Sequence, residues 1–180
     1  MKSIKKSNVM RLLEQAGIEY EAFEYDGEGG RLTGEQIAEK AGQPVDLVCK
    51  TLVTCTEHKE YFVFVINVKR SLDLKLAAKA ASVKALAMLP LNKLFPLTGY
   101  MHGGCSPVGI KTSMKVFIDE PIGKNEIMYV SGGRIGLNVK VNPAELAKLV
   151  NATFAPVQIF NIRNQYGLET GLTCYINKAI

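Results

Sequence analysis

Hydrophobic positions along this chain fall into two alternating rhythms, one helical and one of strict alternation. Between Ser7 and Ala16, Val9, Leu12, Leu13 and Ala16 recur at helical spacing and Gly17 supplies a stop, which predicts an amphipathic first helix. The next segment, IEYEAFEY, reads as a strand. After the glycine-rich loop DGEGGRL, Thr33 followed three residues later by Gln36 forms a capping-box pattern. It opens a helix through Ile37, Ala38 and Ala41 that closes at Gly42. DLVCKTLVT and EYFVFVINV are rich in β-branched and aromatic residues, are separated by the polar CTEHK, and predict a centrally placed strand pair. SLDLKLAAKAA, from Ser71 to Ala81, has the alanine and leucine content of a helix. A brief apolar run, VKALAML, ends at Pro90, and a second short helix is expected over Leu91 to Phe95. MKVFIDEPI, EIMYVSGG and IGLNVKV then read as three further strands. Asn142 as N-cap, Pro143 as first helical residue and Glu145 behind it start a last helix carrying Leu146, Leu149 and Val150.

Neighbouring strands interrupted by helices, rather than strict βαβ alternation, predict an α+β domain around a mixed, mostly antiparallel sheet. The chain has 180 residues, 47% of them hydrophobic, which suits a single domain with a substantial core. We expect that domain to span 1–156, with 157–180 an appendage lacking a strong period. The longest apolar runs, such as YFVFVINV, fall far short of the roughly 20 residues needed to cross a bilayer. The basic MKSIKKSNVM is followed by no long apolar segment or small-residue cleavage site, so a cytoplasmic protein is expected. Cysteines at 49, 55, 105 and 174 include no CxxC pair and, with two histidines, make no zinc pattern. They read as reduced thiols, and no metal is expected. The balance of 22 basic against 17 acidic residues gives +5, which tolerates a polyanionic partner without demanding one.

Three features carry candidate chemistry. In LVCKTLV, alternation puts Val48, Lys50 and Leu52 on one face and Cys49, Thr51 and Val53 on the other. Lys50 is therefore either a snorkelling side chain or a charge held in a pocket to bind an anion or polarise a carbonyl. HGGCSPVG and VSGGRIG each place two adjacent glycines at a strand end, where backbone amides can approach a ligand. The same glycines are equally consistent with tight turns, and neither stretch matches a P-loop or dinucleotide fingerprint. HGGCSPVG also places Cys105 three residues from His102, which raises a cysteine-hydrolase reading with no third orienting group identifiable.

VCKTLV, LDLKLAAKA, GYMHGGCSPVG, YVSGGRIGLNV and PAELAKLV stand in the order and approximate spacing of the YbaK-type aminoacyl-tRNA deacylases, the prolyl-tRNA-synthetase-associated editing domains. The resemblance covers roughly residues 5–156. It implies a compact barrel-like mixed sheet flanked by helices, no cofactor or metal, and hydrolysis in trans of mischarged tRNA, typically Cys-tRNA(Pro). Related members remove alanine or other amino acids. Such a second site has a physical rationale, because a pocket built for proline rejects a similarly small amino acid by only about 1–3 kcal/mol. Lys50 matches the family's required lysine and would hold the tRNA terminus and polarise the ester. Thr51 follows it in the motif, although a bulge or twist is needed to bring it to the same face. Tyr25 matches a tyrosine near the pocket that could stack on the terminal adenosine. Gly103 and Gly104 match a backbone-lined loop whose amides would face the ester oxyanion, and Ser131 resembles the pocket serine. Where members acting on cysteinyl-tRNA commonly carry aspartate, this chain has Asn138, which keeps size and hydrogen bonding but loses the carboxylate. For cysteine substrates the resemblance implies attack by the substrate's own thiol, with the protein supplying orientation and electrostatics. Prolyl-tRNA synthetase is then the expected partner, since a domain of this size and charge would grip tRNA mainly through its backbone. The alternatives are a deacylase for Ala-tRNA(Pro) or another small amino acid, and a non-catalytic tRNA-binding module.

Overall fold

The structure is a computed structural model that describes residues 4–27 and 32–159. The caps predicted at Thr33 and Asn142 form as expected, and Ser7 supplies a third that the sequence reading did not name. Helix α1 (Asn8–Gln15) is capped by Ser7 and buries Val9, Met10 and Leu13. Helix α2 (Gly34–Lys40) is closed by the reciprocal pair of Thr33 and Gln36, with Gln36 N–H on Thr33 Oγ1 and Thr33 N–H on Gln36 Oε1. Asn142 Oδ1 accepts from Ala144 N–H and Glu145 N–H to start α5 (Pro143–Leu149). Each cap satisfies amides that the first turn leaves without intrahelical partners.

The strands form two sheets. In one, β1 (Tyr20–Glu24), β7 (Leu137–Val141) and β6 (Met128–Ser131) pair antiparallel in the order β1-β7-β6. The other has the order β4-β2-β3-β5-β8, with β2 (Cys49–Cys55) and β3 (Tyr61–Asn67) antiparallel and β3 and β5 (Lys115–Asp119) parallel. The sheets meet where Val48, just ahead of β2, forms a parallel bridge to Tyr129 of β6. Val53, Val63, Val65 and Ile118 from one sheet and Val130, Leu137 and Val139 from the other then share a single enclosed core with α1. This is the expected α+β, barrel-like arrangement with mostly antiparallel pairings.

Helix α3 (Leu74–Ala81) lays Ala77, Ala78 and Ala81 on the outside of the larger sheet, against Phe62, Phe64, Ile66 and Phe117. Small alanines let the helix sit close over these rings, of which Phe64 and Phe117 stack at 5.2 Å. Helix α2 covers the outside of the smaller sheet with Ala38, which packs with Val48, Tyr129 and Phe23.

Three elements depart from the sequence pattern. Helix α4 runs Leu91–Thr98, through Pro96 rather than stopping at Phe95. Proline removes one amide, and Thr98 Oγ1 bonds Leu94 O at 2.7 Å while Gly99 N–H bonds Phe95 O at 2.8 Å, which closes the turn. Strands β4 (Ala87–Met88) and β8 (Thr153–Ala155) are two and three residues long, and no periodicity marks them. The chain also remains packed through Ile159. Val157 is fully buried, its N–H bonds Asp119 Oδ1 at 3.0 Å, and Gln158 bridges to Leu72. Residues 160–180 of the appendage expected over 157–180 lie outside the described residues.

Candidate functional site

Strand register assembles the site. Val48 and Tyr129 run parallel, so two residues further Lys50 comes alongside Ser131, and Ser131 pairs directly with Asn138. Paired residues point to the same side of a sheet, and the row continues to Phe23. Lys50, Ser131 and Asn138 thus lie in one row across the seam between the sheets, with the backbones of Lys50 and Asn138 about 10 Å apart, two strand spacings. The Lys50 ammonium itself is held at Val68 O, just past β3, on the other side of β2 from Ser131. Tyr25, one step beyond β1, falls on the same side as Phe23 by alternation, and its N–H bonds Gly136 O at 3.0 Å.

Lys50 is half-buried. Its ammonium donates to Val68 O at 3.2 Å and joins no ion pair among the described residues. Desolvation lowers its pKa below the usual lysine value, and the field of Glu35 on α2 opposes that shift. The result is a half-buried cation held by one backbone carbonyl. Ser131 Oγ accepts from Gly133 N–H at 3.2 Å and shapes the turn after β6.

Asn138 is 5% exposed and donates through Nδ2 to Gln43 Oε1 at 2.8 Å. Gln43, itself 7% exposed, keeps its own Nε2 buried without a partner. The pair leaves Gln43 Nε2 as a buried donor with no partner among the described residues, in a setting where an unmet hydrogen bond costs about 1–3 kcal/mol. Gln43 was not visible to sequence reasoning. It follows Gly42 in the bend after α2, and its partner is 95 positions away, so no local pattern marks it.

The structure does not bring Thr51 to this row. Strands β2 and β3 pair residue for residue from Cys49 to Cys55, so no bulge turns Thr51 around. Its side chain faces inward, and Oγ1 is buried without a hydrogen bond. The glycine loop packs against the turn between β6 and β7. A Cβ on Gly104 would lie 3.0 Å from backbone atoms of Arg134 and Ile135, so glycine is required for that close approach. The Gly104 amide already donates to Met101 O at 3.0 Å. Gly103 is exposed with φ of +83°, and it is the member of the pair that remains open to a ligand. Ser106 Oγ receives Val108 N–H at 3.3 Å, which sets the SPVG turn.

Cys105 is buried, and burial pushes its thiol up to about 12. His102 is exposed, and no hydrogen bond joins the two among the described residues. A protonated thiol inside the core is not a nucleophile. Among the described residues no group of three or more His, Cys, Asp or Glu could hold a metal, and no helix is long and apolar enough to cross a membrane. A surface groove of about 550 Å³ lies elsewhere, between β1, β7 and α5, and is lined by Glu19, Glu21 and Glu145, which would repel an anionic ligand.

Comparison with known proteins agrees with this geometry. The family model described as an aminoacyl-tRNA editing domain matches residues 29–149. A protein of Enterococcus faecalis named "Putative Cys-tRNA(Pro)/Cys-tRNA(Cys) deacylase EbsC" is 35% identical over 156 residues, 87% of this chain and 95% of that protein. A crystal structure of "a putative trans-editing enzyme for prolyl tRNA synthetase" superposes with a TM-score of 0.73 at 24% identity, covering 86% of this chain and 99% of that one. Another, of "hypothetical protein APE2540", reaches a TM-score of 0.76 at 22% identity, covering 84% and 99%. At those identities the two structures establish the fold. The match across most of the chain shows that the chain belongs to the aminoacyl-tRNA editing domain family, hydrolases of aminoacyl-tRNA.

Proposed function

We propose that this protein deacylates mischarged tRNA in trans, with Cys-tRNA(Pro) as its principal substrate and Lys50 as the catalytic residue. The observation that carries the reading is the Lys50 ammonium: half-buried, unpaired with any described carboxylate, and in register with Ser131 and Asn138. Lys50 holds the terminal adenosine and polarises the ester carbonyl as negative charge builds on its oxygen. The exposed Gly103 amide faces the same oxygen. Asn138 Oδ1 receives the α-ammonium of the amino acid, and Tyr25 packs against the adenosine.

With cysteine as the amino acid, the substrate sulfur bonds to its own carbonyl carbon and gives up its proton. The bond from that carbon to the ribose oxygen breaks, and the oxygen takes up a proton. The products are a tRNA with a free hydroxyl and a cyclic thiolactone that water opens. No protein nucleophile is needed, which agrees with the buried, protonated state of Cys49 and Cys105. The name of the Enterococcus relative supports a cysteinyl substrate, and that of the trans-editing structure supports prolyl-tRNA synthetase as partner. Asn138 in place of aspartate favours a second reading, in which a positioned water replaces the thiol and Ala-tRNA(Pro) or another small aminoacyl-tRNA is cleaved. We take the catalytic unit as 1–156 with its packed continuation to Ile159, in a cytoplasmic protein.

The test is release of amino acid from Cys-, Ala- and Pro-tRNA(Pro) and from Cys-tRNA(Cys) by wild type, Lys50→Ala and Cys105→Ala. Loss with Lys50→Ala alone supports the proposal. Loss with Cys105→Ala points to a protein nucleophile, and wild-type inactivity on every substrate with tRNA binding retained points to a binding module.

A further inference from the structure

Charge is distributed unevenly around Lys50. Residues 61–118 carry eight lysines and arginines and one acidic residue, Asp73, whereas the rest of the chain has fourteen basic and sixteen acidic residues. The net positive charge of the protein therefore resides in that one stretch. Upstream of Lys50 the balance reverses, with nine acidic and two basic residues between 14 and 46. Asp73 offers no counterweight, because its Oδ1 accepts from Lys75 N–H and Leu76 N–H as the N-cap of α3. Lys69 pairs with Asp46, but Arg70, Lys75, Lys79 and Lys84 join no ion pair among the described residues and are exposed.

These cations are ordered in space as well as in sequence. Val68, whose carbonyl holds the Lys50 ammonium, leads into Lys69 and Arg70. Helix α3 then runs across the outer face of the sheet, the face to which Lys50 and its pair partner Ile66 belong. Lys75 and Lys79 stand one turn apart on its solvent side, about 6 Å along the axis, and Lys84 follows its end. The alanines that seat α3 on the sheet leave these lysines upright on a rigid element.

We infer that Arg70, Lys75, Lys79 and Lys84 form the track that receives the phosphate backbone of the tRNA acceptor end, leading away from the ester held at Lys50. On the opposite flank the β1 carboxylates Glu21 and Glu24 are paired with Lys140 and Arg134, and only Glu35 and Glu39 of α2 outweigh Lys40, so the field favours approach along α3. This surface rests on the deacylase reading for its ligand, and it adds where and in which direction that ligand lies. It grips the backbone, so it contributes affinity without base selectivity.

The experiment compares the triple variant Arg70→Gln, Lys75→Gln, Lys79→Gln with a control of equal charge change, Lys59→Gln, Lys124→Gln, Lys148→Gln. Binding of uncharged tRNA is measured across a salt series, and deacylation is measured on full-length substrate and on a short oligonucleotide ending in the aminoacylated adenosine. The track variant is expected to weaken tRNA binding and raise KM at least tenfold with kcat unchanged. Its salt dependence becomes shallower by roughly 0.7–0.9 in log–log slope for each phosphate that is no longer neutralised. The short substrate is hydrolysed as by wild type, and the control shifts binding less than twofold. Equal weakening by both triples, or none by the track variant, overturns the assignment. If no aminoacyl-tRNA is hydrolysed by wild type, the deacylase reading fails, while the binding series still decides whether RNA lies along α3.

Discussion

Lys50 and Cys105 are both drawn out of water, and the consequences are opposite. For the lysine, desolvation lowers the pKa while one carbonyl and the field of Glu35 keep the ammonium in place. For the cysteine, the same effect pushes the thiol up to about 12 among core neighbours, and nothing nearby stabilises a thiolate. On the proposed mechanism it is this partly buried cation that acts on the ester. A fully packed thiol is part of the core, however suggestive the glycines and histidine beside it. The residue that looks reactive in the sequence and the residue placed to do chemistry are thus separated by what surrounds each.

The comparison breaks most directly at Lys50. Lys50→Met, close in length and lacking the charge, is expected to lower kcat/KM for deacylation by about 10²–10³, the usual loss for removing a donor aimed at a developing oxyanion. The melting temperature is expected to stay near wild type, because the charge it removes is one that burial disfavours. A smaller loss, about tenfold, is expected for Gln43→Leu, which strips Asn138 Nδ2 of its partner. Denaturant unfolding of the same variant is expected to show about 1–3 kcal/mol of destabilisation from the orphaned amide. Restoration of activity by Gln43→Glu, which keeps an acceptor for Asn138, separates a positioning role from simple loss of packing.

The pH profile sharpens the contrast. Deacylation is expected to fall at alkaline pH as Lys50 gives up its proton, at a pH below that of an ordinary lysine because its pKa is lowered. Glu35→Gln removes the opposing field and is expected to move that limb lower still. The smallest kinetic effect belongs to Cys105→Ala, with activity expected within about twofold of wild type, as for a residue outside the site. Its signature is in stability. A thiol whose folded pKa is raised favours the folded state below the ordinary value of 9.0, and that contribution is lost as pH climbs toward about 12. Cys105→Ala is expected to flatten the alkaline decline in unfolding free energy, measured in a denaturant series from pH 8 to 11.

Most of the fold was legible because it is written locally. Thr33 and Asn142 announce their helices, and the alternation through Val48, Lys50 and Leu52 assigns Lys50 its face before any strand is paired. The strands that escaped notice, β4 and β8, are too short for a period and exist only through pairing with distant partners. The site divides in the same way. Lys50 and Asn138 were singled out by motif, Lys50 by alternation as well, and Cys105, already the weaker candidate for want of a third orienting group, is buried. Thr51 depended on a bulge that register alone decides, and Gln43 on a hydrogen bond that no neighbouring residue foretells.

The seam between the sheets gives the protein a built-in report on its own integrity. Lys50 belongs to one sheet and Ser131 and Asn138 to the other, and their alignment follows from the bridge of Val48 to Tyr129. On the proposed mechanism hydrolysis needs that alignment, so activity is expected to be more sensitive to small shifts between the sheets than the hydrogen bonds within each. Heating or mild denaturant is therefore expected to extinguish hydrolysis ahead of any change in secondary structure.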